Sequence, residues 1–192
     1  GARLEAGAAQ WENGGTLQLL PGSVVALSGS TTLRNRGTIR TESDTLISVS
    51  DTGTLANQRQ VQLGGRLEAA RTATLQNHFI LTVDEGAAVS LSDGASLHNT
   101  HIINLNGQMA LADHAQYHNQ KNLQIGYDAV LEVRDSAMLH NRGSVYDRGR
   151  VRLERRGALK NQGIFYIGEL RQSHNVEELL LEQQNSAADA GK

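Results

Sequence analysis

The sequence contains no cysteine, a single proline, and aromatic residues at only 4% of its 192 positions. Without cysteine, the fold cannot depend on disulfide bonds. So few aromatic rings argue against a conventional globular core and suit a narrow column filled by leucine, isoleucine and valine. The net charge of −2 provides no global basic field for binding nucleic acid. No apolar run approaches the roughly 18 residues of a membrane span.

One short phrase, an apolar residue followed by any residue and then asparagine, recurs along the chain. Leu139-His140-Asn141 is a representative copy, and Val145 follows four residues after its asparagine. The copies are spaced by 22 or 20 residues, and a period of this size predicts a solenoid. The eight repeated asparagines are Asn13, Asn35, Asn57, Asn77, Asn99, Asn119, Asn141 and Asn161.

Each repeat offers three short segments with alternating apolar residues. An apolar pair precedes nearly every asparagine, as Val89 and Leu91 precede Asn99, and a third apolar residue such as Ile103 follows it. The two-residue insertions fall after this third segment, and their even length preserves the alternation of buried and exposed side chains. Pairing each segment with its counterpart one coil further on predicts three parallel sheets, with coils about 4.7–4.9 Å apart.

The predicted fold is therefore all-β: a right-handed parallel β-helix, or solenoid, of about eight coils of 20–22 residues. The helix is expected to cover residues 11–168, with residues 1–10 forming a lead-in or partial coil. For residues 169–192, the sequence predicts a short capping helix followed by a flexible tail. Asn175 with Glu178 resembles a capping box, and three apolar residues share one helical face: Val176, Leu179 and Leu180.

The eight asparagines are predicted to point inward at the turn after the second segment. A buried amide needs hydrogen-bond partners, and identical asparagines stacked at strand spacing can provide them as a ladder. They can also bond the backbone of the turn. The alternative is eight exposed loop asparagines. Small residues four positions earlier, such as Ala95 and Ala115, favour a tight inward corner.

Two outward rows contain residues that can ligate metals. His98, His118 and His140 occupy the middle position of successive repeats, where they could bind a transition metal or respond to pH. A second outward row consists of aspartates and could hold calcium, although aspartates that hydrogen-bond the backbone of their own turn would produce the same row. We predict no metal site and no cofactor. The second row comprises Asp51, Asp93, Asp113 and Asp135, interrupted by Arg71.

Basic residues are concentrated late in the repeats, where eight of the 18 Lys and Arg residues lie between positions 134 and 160. On a solenoid, neighbours in sequence lie on neighbouring coils and can focus a positive potential. The alternative is a solvated face partly paired with Glu132 and Glu154. The candidate site for an anionic ligand comprises Arg142, Arg148, Arg150, Arg152, Arg155, Arg156 and Lys160.

The phrase L-x-N-x-G-x-I, present as Leu33, Asn35, Gly37 and Ile39, resembles the haemagglutinin-type repeats of filamentous-haemagglutinin-like exoproteins. Those are large bacterial proteins exported by two-partner secretion, and they include adhesins and the toxin-delivery stalks of contact-dependent inhibition. The resemblance covers residues 11–168. The middle coils depart from it because the glycine is replaced there by Arg59, Phe79, His101 and Lys121.

The resemblance implies a structural and adhesive segment of a large bacterial protein that is secreted or displayed on the cell surface. The implied partners are a receptor or glycan on a host or neighbouring cell and an outer-membrane secretion partner. The chain begins with Gly1 rather than Met, so we expect a processed chain or an excised fragment.

The alternatives are a scaffold that self-associates end to end and, less favoured, a polysaccharide-active enzyme. We predict no enzymatic activity, because no catalytic constellation recurs outside the rows of the repeat.

Overall fold

The computed structural model describes residues 1–168 and contains 24 strands in three parallel sheets of eight strands each. This confirms the prediction of an all-β solenoid with about eight coils. No helix is present within residues 1–168. The helical cap and tail predicted for residues 169–192 lie outside the described residues.

Each coil contributes one strand to each sheet, so strand n pairs with strand n+3. The first sheet contains β1 (Arg3–Ala6), β4 (Val24–Leu27), β7 (Leu46–Val49), β10 (Arg66–Ala69), β13 (Ala88–Leu91), β16 (Gln108–Leu111), β19 (Val130–Arg134) and β22 (Arg150–Glu154). The second contains β2 (Gln10–Asn13), β5 (Thr32–Asn35), β8 (Thr54–Asn57), β11 (Thr74–Asn77), β14 (Ser96–Asn99), β17 (Gln116–Asn119), β20 (Met138–Asn141) and β23 (Ala158–Asn161). The third contains β3 (Thr16–Leu19), β6 (Thr38–Thr41), β9 (Gln60–Leu63), β12 (Ile80–Val83), β15 (Ile102–Leu105), β18 (Asn122–Ile125), β21 (Ser144–Asp147) and β24 (Ile164–Ile167).

The two-residue insertions lie at the corner between the third and first sheets. Four-residue turns occupy this corner at 20–23, 42–45, 84–87 and 126–129, whereas two-residue turns occupy it at 64–65, 106–107 and 148–149. Both lengths leave the alternation in phase, and every strand pair stays in register from coil to coil, as when Leu97 lies beside Tyr117.

The core is a column of aliphatic side chains from all three sheets. Second and fourth residues of the middle-coil strands point inward, so Ile103 and Leu105 of β15 are both fully buried. Burial of apolar surface contributes about 25 cal/mol per Å², which makes this column the main stabilising feature of the fold. The corner residues Ala95 and Ala115 are also fully buried, and Thr31 is fully buried at the same position of an earlier coil.

Glycine after the repeated asparagine permits a close approach of the backbone in some coils. A Cβ atom on Gly143 would lie 2.1 Å from the carbonyl oxygen of Lys121, a distance no side chain tolerates. The N–H groups of both Arg142 and Gly143 donate to the carbonyl of Asn119 in this turn. The glycine therefore reflects a tighter turn in these coils, whereas the middle coils carry side chains at the same position.

Tyr117 is the largest fully buried side chain in the column and takes the place of a repeated leucine. Its hydroxyl is fully buried and has no hydrogen-bond partner among the described residues. Burial raises the pKa of this phenol, and nearby Asn99 opposes the shift only in part. A buried hydroxyl without a partner costs stability.

Tyr117→Phe is expected to raise the free energy of unfolding by about 1 kcal/mol, because it removes the unsatisfied hydroxyl and keeps the ring. Tyr117→Ala serves as the size control and should lower the same quantity by about 3–5 kcal/mol. Urea denaturation followed by circular dichroism measures both. A less stable Tyr117→Phe protein would show that the hydroxyl is satisfied in solution.

Candidate functional site

The eight repeated asparagines form a hydrogen-bonded ladder inside the column. Each Nδ2 donates to the Oδ1 of the next asparagine over 2.7–2.9 Å, and the ladder runs from Asn13 to Asn161. The Nδ2 of Asn99 also donates to the carbonyl of Asn122 over 3.0 Å. The six inner members are buried, and the ladder satisfies amides that would otherwise destabilise the core.

The aspartate row lies at the corner between the first and second sheets, where the backbone takes positive φ values. Asp51, Asp93 and Asp113 have φ of 58°, 55° and 58°, and Arg71 occupies the same position with 62°. Each of these carboxylates accepts an N–H from the preceding coil, as Asp51 does from Gly29 over 3.0 Å. This backbone bond, helped by the charge of Arg71, lowers the pKa of Asp51.

These aspartates therefore stabilise the turn, and no group of three or more His, Cys, Asp or Glu residues within residues 1–168 is arranged to hold a metal ion.

The histidine row forms a stack on the outer face of the second sheet. The ring centroids of His98 and His118 are 4.9 Å apart, those of His118 and His140 are 5.0 Å apart, and the planes differ by 9° and 14°. Partial burial lowers the pKa of all three imidazoles, and positive neighbours act in the same direction. For His140 these neighbours are Lys160 and Arg142.

The stack is expected to make stability depend on pH. Because the folded pKa values are lowered, the unfolded chain binds protons more readily, so stability is full above about pH 6.5 and is lost as the pH falls through the folded pKa values. Urea denaturation midpoints measured from pH 8 to pH 5.5 should therefore decrease. The triple variant His98→Gln, His118→Gln and His140→Gln should show a flatter profile, and an unchanged profile would contradict this role.

The seven basic residues of the candidate anionic site are all exposed, but they surround the column. Arg150 and Arg152 project from the outer face of the first sheet, while Lys160 belongs to the second sheet. Arg148 lies at the third-to-first corner, and Arg155 and Arg156 lie at the first-to-second corner. The set therefore forms a belt around the last two described coils, and one flat ligand contacts only part of it.

Within residues 1–168, only one of these seven cations forms an ion pair. Arg155 lies 3.7 Å from Asp135, and Arg142 donates to the amide oxygen of Gln162 over 3.1 Å. Glu132 pairs with Arg134 of its own strand over 3.0 Å, although it lies beside Arg152 in register. Exposed pairs of this kind contribute little stability. The other six cations of the belt form no ion pair with a residue in the range 1–168.

A shallow cleft of about 220 Å³ brings two members of the belt together with the histidine stack. Arg142 and Lys160 line it beside His118 and His140. Four cationic or protonatable groups around one depression can attract an anion.

A larger groove of about 590 Å³ lies on the outer face of the third sheet, and of the residues that line it only Arg148 belongs to the candidate site predicted from the sequence. Asn104, Gln124 and Tyr146 follow one another on its floor, because they are register partners in β15, β18 and β21. Tyr127 and Arg148 stand at its side, on the corner with the first sheet. The three floor residues lie 20 and 22 positions apart in sequence, and only the outward row and the insertion at 126–129 could have indicated the groove.

Residues 1–168 contain no helix, and therefore none that could span a membrane. Comparison of the chain with models of known protein families, with curated proteins and with solved structures finds no match. The resemblance to haemagglutinin-type repeats therefore rests on the sequence motifs.

Proposed function

We propose that this chain is a structural and adhesive segment of a large bacterial exoprotein of the haemagglutinin-repeat kind, secreted or displayed on the cell surface. The observation that carries the proposal is the continuous asparagine ladder inside an uninterrupted core. Together they join eight coils into a rigid rod about 35 Å long at about 4.8 Å per coil. Such a rod extends a chain and holds its outward side chains in fixed rows.

The adhesive part of the proposal is supported by the belt of exposed cations on the last two described coils. The belt places cations on the first and second sheets and at all three corners, so an anionic surface meets positive charge at most rotations of the rod about its axis. The partners proposed are a receptor or glycan on a host or neighbouring cell, and an outer-membrane partner for export.

End-to-end self-association is a second candidate, favoured by the first coil. Leu4 is 44% exposed, and Trp11 and Leu17 are only half-buried, so a further coil or a second copy of the chain would cover apolar surface there. Sedimentation at increasing concentration tests this candidate. Growth of filaments would support it, and a monomer at all concentrations would overturn it.

Location and parent size test the main proposal. An antibody against this domain is used to probe culture medium, cell surface and cytosol of the producing bacterium, with a cytosolic enzyme as the lysis control. We expect a very large band outside the cell. A band near 20.7 kDa confined to the cytosol would contradict the exoprotein proposal and favour the self-associating scaffold.

A further inference from the structure

We propose that the groove on the third sheet binds a polysaccharide strand that carries carboxylate groups. This deepens the adhesive function proposed above and rests on it, because a protein outside the cell is the one that would encounter such a polysaccharide. The groove crosses the coils of β12, β15, β18 and β21, and three steps between coils give a floor about 14 Å long. Its volume of about 590 Å³ lies in the range of roughly 300–1,000 Å³ typical of ligand sites.

The floor is lined by amides that form few hydrogen bonds with the other residues in the range 1–168. The side chains of Asn122 and Gln124 make no hydrogen bond to another described residue, and the amide of Asn104 donates only a long 3.5 Å bond to Thr82. A primary amide offers two donors and an acceptor, and a sugar hydroxyl both donates and accepts. A row of such amides at the spacing of the coils therefore matches a ligand with hydroxyls along its length.

Tyr146 closes one end of the groove. One face of its ring is stacked on Tyr166, with centroids 5.0 Å apart and planes within 10°, so the ring is held in place. Its other face is turned toward Gln124, the register partner on the preceding coil, so the outer edge of the ring faces the groove. A fixed tyrosine offers there an apolar edge and a hydroxyl, which can contact a sugar ring and its hydroxyl groups.

The alternating length of the corner turns builds the wall of the groove. The four-residue turn at 126–129 projects between two-residue turns at 106–107 and 148–149. It carries Tyr127, which is 64% exposed and lines the groove. The difference between 20- and 22-residue repeats therefore forms a ledge beside the floor.

Arg148 supplies the preference for an acidic ligand. Its guanidinium carbon lies 5.8 Å from the centre of the Tyr127 ring and forms no ion pair with a described carboxylate. Among residues 1–168, none of those lining the groove is Asp or Glu. A guanidinium held on an aromatic ring can bind a carboxylate through two parallel hydrogen bonds.

Calorimetric titration of the full chain tests the proposal. The probes are short fragments of alginate, pectate and hyaluronan, with neutral cello-oligosaccharides of the same length. We expect at least one acidic fragment to bind about tenfold more tightly than the neutral one. Arg148→Gln should weaken this binding about tenfold, and Tyr127→Ala and Gln124→Ala should each weaken it several-fold.

Arg40→Gln is the matched control, because Arg40 is an exposed arginine on the outer face of the same sheet, outside the groove. It should leave the affinity within about twofold of the unsubstituted chain. An equal loss in Arg40→Gln and Arg148→Gln would show nonspecific attraction of a polyanion and would overturn the groove as the site. Failure of all three acidic fragments to bind would overturn the proposal as well.

Thermal unfolding of each variant distinguishes lost binding from lost structure, and all four substituted residues lie on the surface. If the protein is found outside the cell but does not bind, the groove proposal is overturned and the exoprotein proposal is retained. If the chain binds but is found only in the cytosol, the groove proposal is retained and the exoprotein proposal is overturned.

Discussion

Replacing Asn99 by alanine is expected to lower the free energy of unfolding by about 3–5 kcal/mol. Asn99 is fully buried in the middle of the ladder. Its Nδ2 donates to Asn119 over 2.8 Å and to the carbonyl of Asn122 over 3.0 Å, and its Oδ1 accepts from Asn77 over 2.8 Å. Alanine leaves these groups with fewer partners in a dry cavity, and each unsatisfied buried group costs about 1–3 kcal/mol.

Asn13→Ala is the matched control at the start of the ladder. Asn13 donates to Asn35 over 2.8 Å, but it is only half-buried, and water can replace its bonds. Asn13→Ala is therefore expected to lower the free energy of unfolding by only about 1 kcal/mol. Urea denaturation followed by circular dichroism compares the two variants. Equal losses would show that the ladder contributes no more in the core than at the surface.

Replacing Ile103 by aspartate is expected to unfold the middle coils at neutral pH. Ile103 is fully buried between Leu81 and Leu123, its register partners on the neighbouring coils. Removal of its side chain costs about 2–5 kcal/mol, and burial of a carboxylate without a partner adds several kcal/mol. The sum of these two losses approaches or exceeds the free energy of unfolding of an ordinary domain, which is about 5–15 kcal/mol.

Asn104→Asp introduces the same charge one residue further along the same strand. Because Asn104 points outward, Asn104→Asp should lower the free energy of unfolding by less than about 1 kcal/mol. Limited proteolysis and hydrogen exchange of the amides in β12, β15 and β18 measure both variants. A folded Ile103→Asp protein, or an unfolded Asn104→Asp protein, would contradict the assignment of inward and outward faces.

The alternation of side chains made most of the fold predictable. The repeated asparagine with its flanking apolar residues, as in Leu97 and Asn99, specified which positions enter the column, because a strand turns successive side chains to opposite faces. The even insertion length placed the extra residues in turns. Tyr117 departs from the leucine pattern without altering the coil, because the column accommodates its ring.

The outward surface was harder to predict. Residues 142–160 span almost one full coil, so their clustering in sequence distributes the basic side chains around the rod. The groove depends instead on Asn104, Gln124 and Tyr146, which belong to three different coils and are adjacent through strand register. No local pattern marks such a group, because its members share neither a segment nor a residue type.

The sequence by itself determined the period of the solenoid, its three strands per coil and the identity of its core, since these follow from local periodicity. Only the tertiary structure decided which outward side chains are neighbours. The angle at each corner and the length of each turn determine which residues of different coils meet, and these are properties of the stacked coils. Tyr127 illustrates the point, because its place beside Arg148 arises from a four-residue turn stacked against a two-residue turn.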